Sequence, residues 1–358
     1  MKSVRRPFRM IGVLALLASF GMGLLAPALA QDGTPLPEPT ITTAALITPS
    51  ARTNLGWDQQ GADGLDAAAA ATGITAIVAE NGGYDDITPA LADLADQGAQ
   101  LIICHASGYQ TTCPDFAAQN EGVSVAVIEN PDAVSERVAD IETQAQEVAY
   151  LAGVLAGLST KTGTVGVVVS GEPPTWNYMT VGFAEGLKAS NPDAKLIYSV
   201  IGEAAYDDAA GASRVTEQQL AAGADIIFGM GDGASFGMIE AIRTFNEANA
   251  ENPAWFIDVI GDKSADYSDV LLTSVLFDYS GIYEQMIALA GTDQFGQVYT
   301  MNVENGGVRL LDLPESVPAE VADAVATAQA DIIAGTITVS AIGDSEGMHA
   351  KLAELGYE

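Results

Sequence analysis

The sequence predicts an α/β protein built as two Rossmann-like parallel-sheet lobes, and three observations predict it. Short β-branched runs alternate with longer helical patterns, as in parallel strands joined by covering helices. The alternation divides into two series, 41–130 and 140–275. One stretch, Gln144–Gly171 (QAQEVAYLAGVLAGLSTKTGTVGVVVSG), condenses a whole α/β layer: buried helix, polar turn, buried strand. A chain of 358 residues suits two domains, at about 100–200 residues each.

Taken in order, the elements support this. Met1–Ala30 has a basic start (Lys2, Arg5, Arg6, Arg9), an apolar run from Ile11 to Leu25 and Ala-Leu-Ala at 28–30. That is the pattern of a secretory signal peptide cut after Ala30. Arg5-Arg6-Pro7-Phe8 hints at twin-arginine export, but Arg9 and Met10 follow it, so the general secretory route fits better. No cysteine follows the apolar run to carry a lipid. No later span is long and uninterrupted enough for a membrane helix, so the mature chain is expected to be soluble, periplasmic or extracellular; an uncleaved anchor is the alternative. Residues 31–40 (QDGTPLPEPT) form a Pro-rich leader, expected to be disordered.

The first series offers strands at Thr43–Ile47, Ile74–Val78, Leu101–Cys104 and Ser124–Ile128, with helices at Gly56–Ala71 and Ile87–Gln97. The second opens with the helix Gln144–Ser159, whose apolar positions follow i, i+3, i+4 spacing. Ala152, Gly153, Ala156 and Gly157 leave room there for a close neighbour. Val165–Val169 is continuously apolar, as suits a strand buried on both faces. Strands at Lys195–Val200, Ile226–Phe228, Trp255–Ile260 and Val270–Val275 alternate with helices at Asn177–Ala189, Ala205–Ala222 and Met238–Glu247. Ile282–Ala290 and Pro318–Ala334 are further helices, the last with Gly335 after it.

Charge narrows the function. Removing 1–30 takes four of the 14 basic residues and no acidic one, leaving ten against 47, a net charge of −37. Such a surface repels nucleic acid and anionic lipid. Cys104 and Cys113 share one loop-like segment, CHASGYQTTC; in an exported protein they either close a local disulfide or stay as free buried thiols.

Three catalytic patterns are weak. Gly229-Met-Gly231-Asp-Gly233-Ala234 satisfies G-x-G-x-x-A between a strand and a helix, with Asp258 as a distant ribose acid, which would suit a nicotinamide-dependent enzyme. It lies in the second half, however, and Asp232 sets a carboxylate where pyrophosphate would lie. Gly343-Asp-Ser345-Glu-Gly347 matches a hydrolase elbow, but only eleven residues follow it and no acid-then-His order is available, so it reads as a polar loop. The two histidines, His105 and His349, are far apart and form no metal motif. No enzyme activity, cofactor or metal is expected.

Several segments, in order, resemble the basic membrane protein family, the solute-binding components of ABC importers that include the purine nucleoside receptors. YLAGVLAGLSTKTGTVGVVVSG (150–171) is similar to its signature; HASGY (105–109), VGFAEGLKASNPDAKL (181–196), QQLAAGADIIFGMGDGASFGMIEAI (218–242), IGDKSAD (260–266), LLTSVLFD (271–278), ENGGVRLLD (304–312) and IIAGTITV (332–339) continue the match. The resemblance covers about 41–340. It implies the type I periplasmic binding fold, with a hinge of three crossovers placed near 130–140, 270–277 and 297–303. The lobes would comprise 41–130 with 276–298 and 131–275 with 299–358. It also implies a ligand in the cleft at the carboxyl ends of the strands, delivery to a membrane permease, and a monomer. A sensor component is the alternative within the same fold.

A purine nucleoside needs flat apolar faces for its base and acceptors for its ribose hydroxyls. Trp57 follows the first strand where the family places an aromatic after an Asn-Asp pair; Asn54 is kept and the neighbouring Asp is not. Trp176 or Tyr109 could oppose it, while Phe236 reads as core. His105 either lines the cleft or bonds within its lobe. Glu129 matches the family's base-contacting Asp with one extra methylene. Asp232 and Asp262 are candidates for the ribose, Asp262 by the family's pattern. Each acid has a capping role as its alternative. Phe277 stands where the nucleoside receptors carry a sugar-contacting Lys, which exchanges a cation for an aromatic surface and leaves room for a free nucleobase, a modified nucleoside or a different small polar solute; Lys263 either replaces that charge or pairs with Asp262.

Overall fold

The computed structural model describes residues 35–357; the signal peptide expected at 1–30 and most of the expected leader, 31–34, lie outside the described residues. Residues 35–40 form no helix or strand, and everything from Leu36 onward belongs to one compact unit.

The first lobe runs β1 (Thr43–Ile47), α1 (Trp57–Thr72), β2 (Thr75–Ala79), α2 (Thr88–Asp96), β3 (Leu101–Cys104), α3 (Thr112–Gln119), β4 (Ser124–Ile128) and β5 (Val138–Thr143). The second runs α4 (Ala145–Ser159), β6 (Thr164–Val169), α5 (Pro174–Ser190), β7 (Lys195–Val200), α6 (Ala209–Ala221), β8 (Ile226–Met230), α7 (Ser235–Ala248), β9 (Trp255–Val259), α8 (Ser264–Tyr267) and β10 (Leu271–Phe277). The chain returns to the first lobe for α9 (Ser280–Leu289) and β11 (Val298–Met301). It then crosses back for β12 (Val308–Leu310), α10 (Ala319–Ile333) and α11 (Ser345–Leu355).

The two sheets share one plan. Strand order is β11-β5-β4-β3-β1-β2 in the first and β12-β10-β9-β8-β6-β7 in the second. All neighbours are parallel except β10 and β12. In each sheet the order reverses beside the lobe's first strand, so loops diverge there and leave a crevice at the carboxyl ends. Side-chain alternation sends Leu46 and Ile103 to one face of the first sheet, and Ile47 and Ile102 to the other, where Leu91, Leu94 and Phe116 of α2 and α3 cover them. In the second sheet Val168, Ile227 and Phe256 meet Ala212, Leu220 and Met238 of α6 and α7, while Val167 and Phe228 face α4 and α5. Covering both faces is why these strands read as continuous apolar runs.

The small residues of α4 have a definite partner. A Cβ on Gly153 would lie 2.1 Å from the carbonyl oxygen of Phe183 in α5; one on Gly182 or Gly186 would lie 2.2 or 2.1 Å from the carbonyls of Gln146 and Tyr150. The two helices therefore pack backbone against backbone.

Several expectations need correction. β5 joins the first sheet, so 138–143 belong to the first lobe and not, as expected, to a second lobe starting at 131. Likewise 299–301 pair with β5 although the boundary was placed at 298, and 276–277 stay in the second sheet. The crossovers lie at 143–144, 278–279 and 302–307, side by side: Gln144 N–H donates to the Met301 carbonyl at 2.8 Å and Asp278 N–H to that of Gly307 at 2.8 Å. β5 was missed because Asp140 and Glu142 interrupt its apolar run, yet Asp140 is fully buried and accepts the Asn130 N–H at 2.7 Å. The loop expected around Cys113 is the helix α3, and Cys104 and Cys113 form a disulfide. Gly343–Gly347 is no free loop either: Asp344 caps α11 by accepting the Gly347 N–H at 2.7 Å.

Candidate functional site: the interlobe cleft

A cleft opens between the carboxyl ends of the two sheets. The first lobe lines it from the loops after β1 to β4, the second from those after β6 to β9. Backbone strain gathers in these loops. Leu55, Asn81, Glu129, Ala204, Asp232 and Ile260 all have φ between 50° and 60°, a region that non-glycine residues rarely occupy. Three of them, Glu129, Asp232 and Ile260, line the cleft.

The lobes meet across it. Thr175 donates its hydroxyl to Glu129 Oε1 at 2.6 Å, Trp57 N–H donates to Asp232 Oδ1 at 3.3 Å, and Lys263 Nζ donates to the Leu55 carbonyl at 3.0 Å. Glycine permits this approach: a Cβ on Gly56 would lie 1.9 Å from Asp232 Oδ1, and one on Gly261 2.0 Å from the Leu55 carbonyl.

Of the predicted residues, Trp57, Glu129, Trp176 and Asp232 line the cleft. Trp57 starts α1; its indole stacks on His105 with centroids 4.6 Å apart and donates Nε1–H to the His105 carbonyl at 3.0 Å. Trp176, in the first turn of α5, meets Tyr206 edge-on at 5.3 Å. Glu129 also accepts the Thr143 hydroxyl at 2.9 Å; burial raises its carboxyl pKa, and the two hydroxyls partly offset this. Burial, then the charge of Asp58, pushes the Asp232 carboxyl up to about 6.

The other five stand outside the lining. Asn54 works behind it, accepting the Gly56 N–H at 3.0 Å and donating to Asp58 Oδ2 at 2.7 Å. His105 is fully buried between the Trp57 carbonyl, 2.9 Å from Nε2, and the Tyr283 hydroxyl, 3.2 Å from Nδ1. Tyr109 is buried and donates to the Gly83 carbonyl at 2.6 Å; its neighbour Tyr84, 6.4 Å away between ring centroids, lines the cleft instead. Phe277 is buried and packs edge-on against Trp57 at 5.9 Å, so its aromatic surface supports the wall instead of forming it. Asp262 is exposed and accepts the Ser264 N–H at 2.8 Å, a turn role. Its neighbour Lys263 points inward and pairs with Asp258 at 2.5 Å, both side chains fully buried. Lys263 therefore does not pair with Asp262; it lies outside the lining, though its charge partly offsets the rise in the Asp232 pKa.

Sequence reasoning missed Asp58, Tyr84, Tyr206 and Asp207, all in the lining. Asp58 is buried and holds the Ser50 N–H at 2.9 Å; desolvation raises its pKa. A signal existed for the others: Tyr84-Asp-Asp86 follows β2 and Tyr206-Asp-Asp208 follows β7, the equivalent strands of the two lobes. Trp57-Asp58 and Trp176-Asn177 likewise open the helices after the two first strands. No Lys, Arg or His lines the cleft.

Comparison with known proteins agrees with this architecture. Residues 41–342 match the Bmp family, described as ABC transporter substrate-binding protein PnrA-like. The ABC transporter nucleoside-binding protein BmpA of Lactococcus lactis is 26% identical over 267 residues, covering 71% of this chain and 75% of that protein. The transcriptional activator protein med of Bacillus subtilis is 25% identical over 228 residues, covering 62% and 68%. Among solved structures, an ABC transporter solute-binding protein from Aeropyrum pernix superposes with a TM-score of 0.75 at 20% identity, covering 88% of this chain and 97% of that one. One from Conexibacter woesei gives 0.71 at 18%, covering 85% and 100%. These likenesses establish the type I periplasmic binding fold.

Proposed function

The chain belongs to the family of PnrA-like ABC transporter substrate-binding proteins, and from that premise we propose that it captures a purine nucleoside in the interlobe cleft and delivers it to a membrane permease. The observation that carries this is the pairing of aromatic walls from both lobes with carboxylates between them. Trp57 and Trp176 provide flat apolar surfaces for a base, each aromatic contact adding about 0.5–1.5 kcal/mol beyond area burial. Glu129 and Asp232 accept from ring nitrogens and ribose hydroxyls. The nucleoside-binding relative from Lactococcus lactis supports the ligand class.

The bonds across the cleft support reading this as a closed form, in which ligand contacts from the two lobes would be made together. Closure would signal occupancy to the permease. The protein acts as an exported monomer, outside the cytoplasm, and binds without chemistry. A second reading, a ligand-binding sensor, draws on the likeness to the Bacillus subtilis activator; permease and ATPase genes beside this one would decide for transport. The direct test is a thermal-shift and calorimetric screen with nucleosides, nucleobases, sugars and NAD. Stabilisation by purine nucleosides is expected; stabilisation by NAD alone would overturn the proposal.

A further inference from the structure

The cleft has a charge pattern that a neutral nucleoside does not need. Each lobe contributes two aromatic side chains at equivalent places: Trp57 and Tyr84 from the first, Trp176 and Tyr206 from the second. Each also contributes two carboxylates, Asp58 with Glu129 and Asp207 with Asp232. The nearest cation, Lys263, pairs with Asp258 and donates to the Leu55 carbonyl; its charge offsets the rise in the Asp232 pKa by less than Asp58 adds to it. Hydrogen bonds within the protein use Glu129 Oε1 and Asp232 Oδ1; the second oxygens, Glu129 Oε2 and Asp232 Oδ2, accept none among the described residues.

Buried Asp58, half-buried Glu129 and Asp232 and exposed Asp207 repel each other. Asp58, across the cleft, and Asp207 both raise the Asp232 pKa, and closure brings the carboxylates of the two lobes together. Neutral ribose hydroxyls can accept that arrangement but cannot compensate it. A positive charge does, because it is attracted both by the carboxylates and by the faces of Trp and Tyr. Aromatic walls combined with acids form the surroundings in which proteins hold organic cations.

We propose that this cleft selects a flat ligand bearing a positive charge: on the nucleoside reading, on which this rests, a cationic N-methylated purine nucleoside. The raised pKa of Asp232 agrees with the proposal, since a bound cation would draw that group back to its charged form.

Isothermal titration of the full-length mature protein tests it with nucleoside pairs that differ in charge. N1-methyladenosine is a cation at neutral pH and N6-methyladenosine is neutral; N7-methylguanosine and guanosine form a second pair, measured in mildly acidic buffer where N7-methylguanosine keeps its N1 proton and its charge. The cationic member of each pair should bind at least about ten-fold more tightly, about 1.4 kcal/mol. Asp232→Asn and Glu129→Gln should each shrink that ratio without lowering the melting temperature. Equal or tighter binding of the neutral members overturns the charge inference and leaves the nucleoside reading standing. If no nucleoside binds while choline binds better than its neutral carbon isostere, the charge inference is supported and the nucleoside reading falls. Binding by none of these compounds overturns both.

Discussion

The indole of Trp57 lies on the imidazole of His105, 4.6 Å between centroids and 23° between planes, and its Nε1–H is held by the His105 carbonyl at 3.0 Å. One residue thus supplies both the platform and the anchor for the first cleft wall. Phe277 and Tyr279 close it edge-on, each at 5.9 Å. A ring fixed on three sides loses little freedom when a ligand stacks on the fourth. Trp57→Ala should therefore weaken binding by about 1–3 kcal/mol, the usual range for a base-stacking aromatic, in a protein that still unfolds cooperatively. Calorimetry of the variant with the best ligand decides this; an unchanged Kd would remove Trp57 from the site.

His105 also sets a pH dependence of stability. Burial lowers its pKa from 6.5 to about 4. A group with a depressed folded-state pKa binds its proton more readily when unfolded. The neutral imidazole thus stabilises the fold fully above about pH 6.5, and that contribution is lost as pH falls to about 4, in all about 3 kcal/mol. The carboxyls of buried Asp58 and half-buried Glu129 and Asp232, with raised pKa values, act in the opposite direction. They are common to wild type and His105→Gln, so the difference between the two proteins isolates the histidine. In urea titrations that difference should shrink by roughly this amount between the two pH values.

Lys263 and Asp258 form a buried pair whose ammonium also reaches the Leu55 carbonyl across the cleft. Lys263→Met strands the Asp258 charge and should cost about 3–5 kcal/mol. The double variant Lys263→Met/Asp258→Leu should recover most of this, since apolar replacements of buried pairs are often neutral or better. Both variants lose the bond to Leu55, so both should close less readily and bind ligand more weakly. Four-protein denaturation measurements check the first point and calorimetry the second; additive losses in stability would contradict the pairing.

The disulfide ties the end of β3 to α3, with His105 directly beside Cys104. A closed loop this short restricts the unfolded chain by about 2–3 kcal/mol on the chain-entropy account. Cys104→Ser/Cys113→Ser should lose about that much stability and also loosen the support under Trp57. Reduction of the wild type should reproduce both effects. Stability lost with Kd unchanged would show that the loop and the platform are independent.

Much of the fold could be read from the chain because both sheets are covered on both faces. Val165–Val169 and Leu101–Cys104 are strands on composition alone. β5 could not be read so, since its buried Asp140 is made tolerable by the Asn130 amide, a contact visible only in three dimensions. In the site, Trp57 and Trp176 follow first strands and were accessible, and Glu129 follows a strand end. Asp262 shows the limit: at the start of a short helix one position separates an exposed turn acid from the fully buried Lys263, and spacing alone does not reveal which side chain turns inward. The paired Tyr-Asp-Asp segments were legible as a repeat, but only once the two lobes are aligned strand for strand.

The three crossovers at 143–144, 278–279 and 302–307 make the two lobes the arms of a chelate. A ligand seated on one half-site meets the other as an intramolecular partner, at the millimolar effective concentrations of short tethers or above. Either half-site can then be weak while the whole protein holds its ligand well. Dwell time becomes adjustable at the tethers: changing the longest of them, 302–307, would alter how often the arms part without touching a single residue of the cleft.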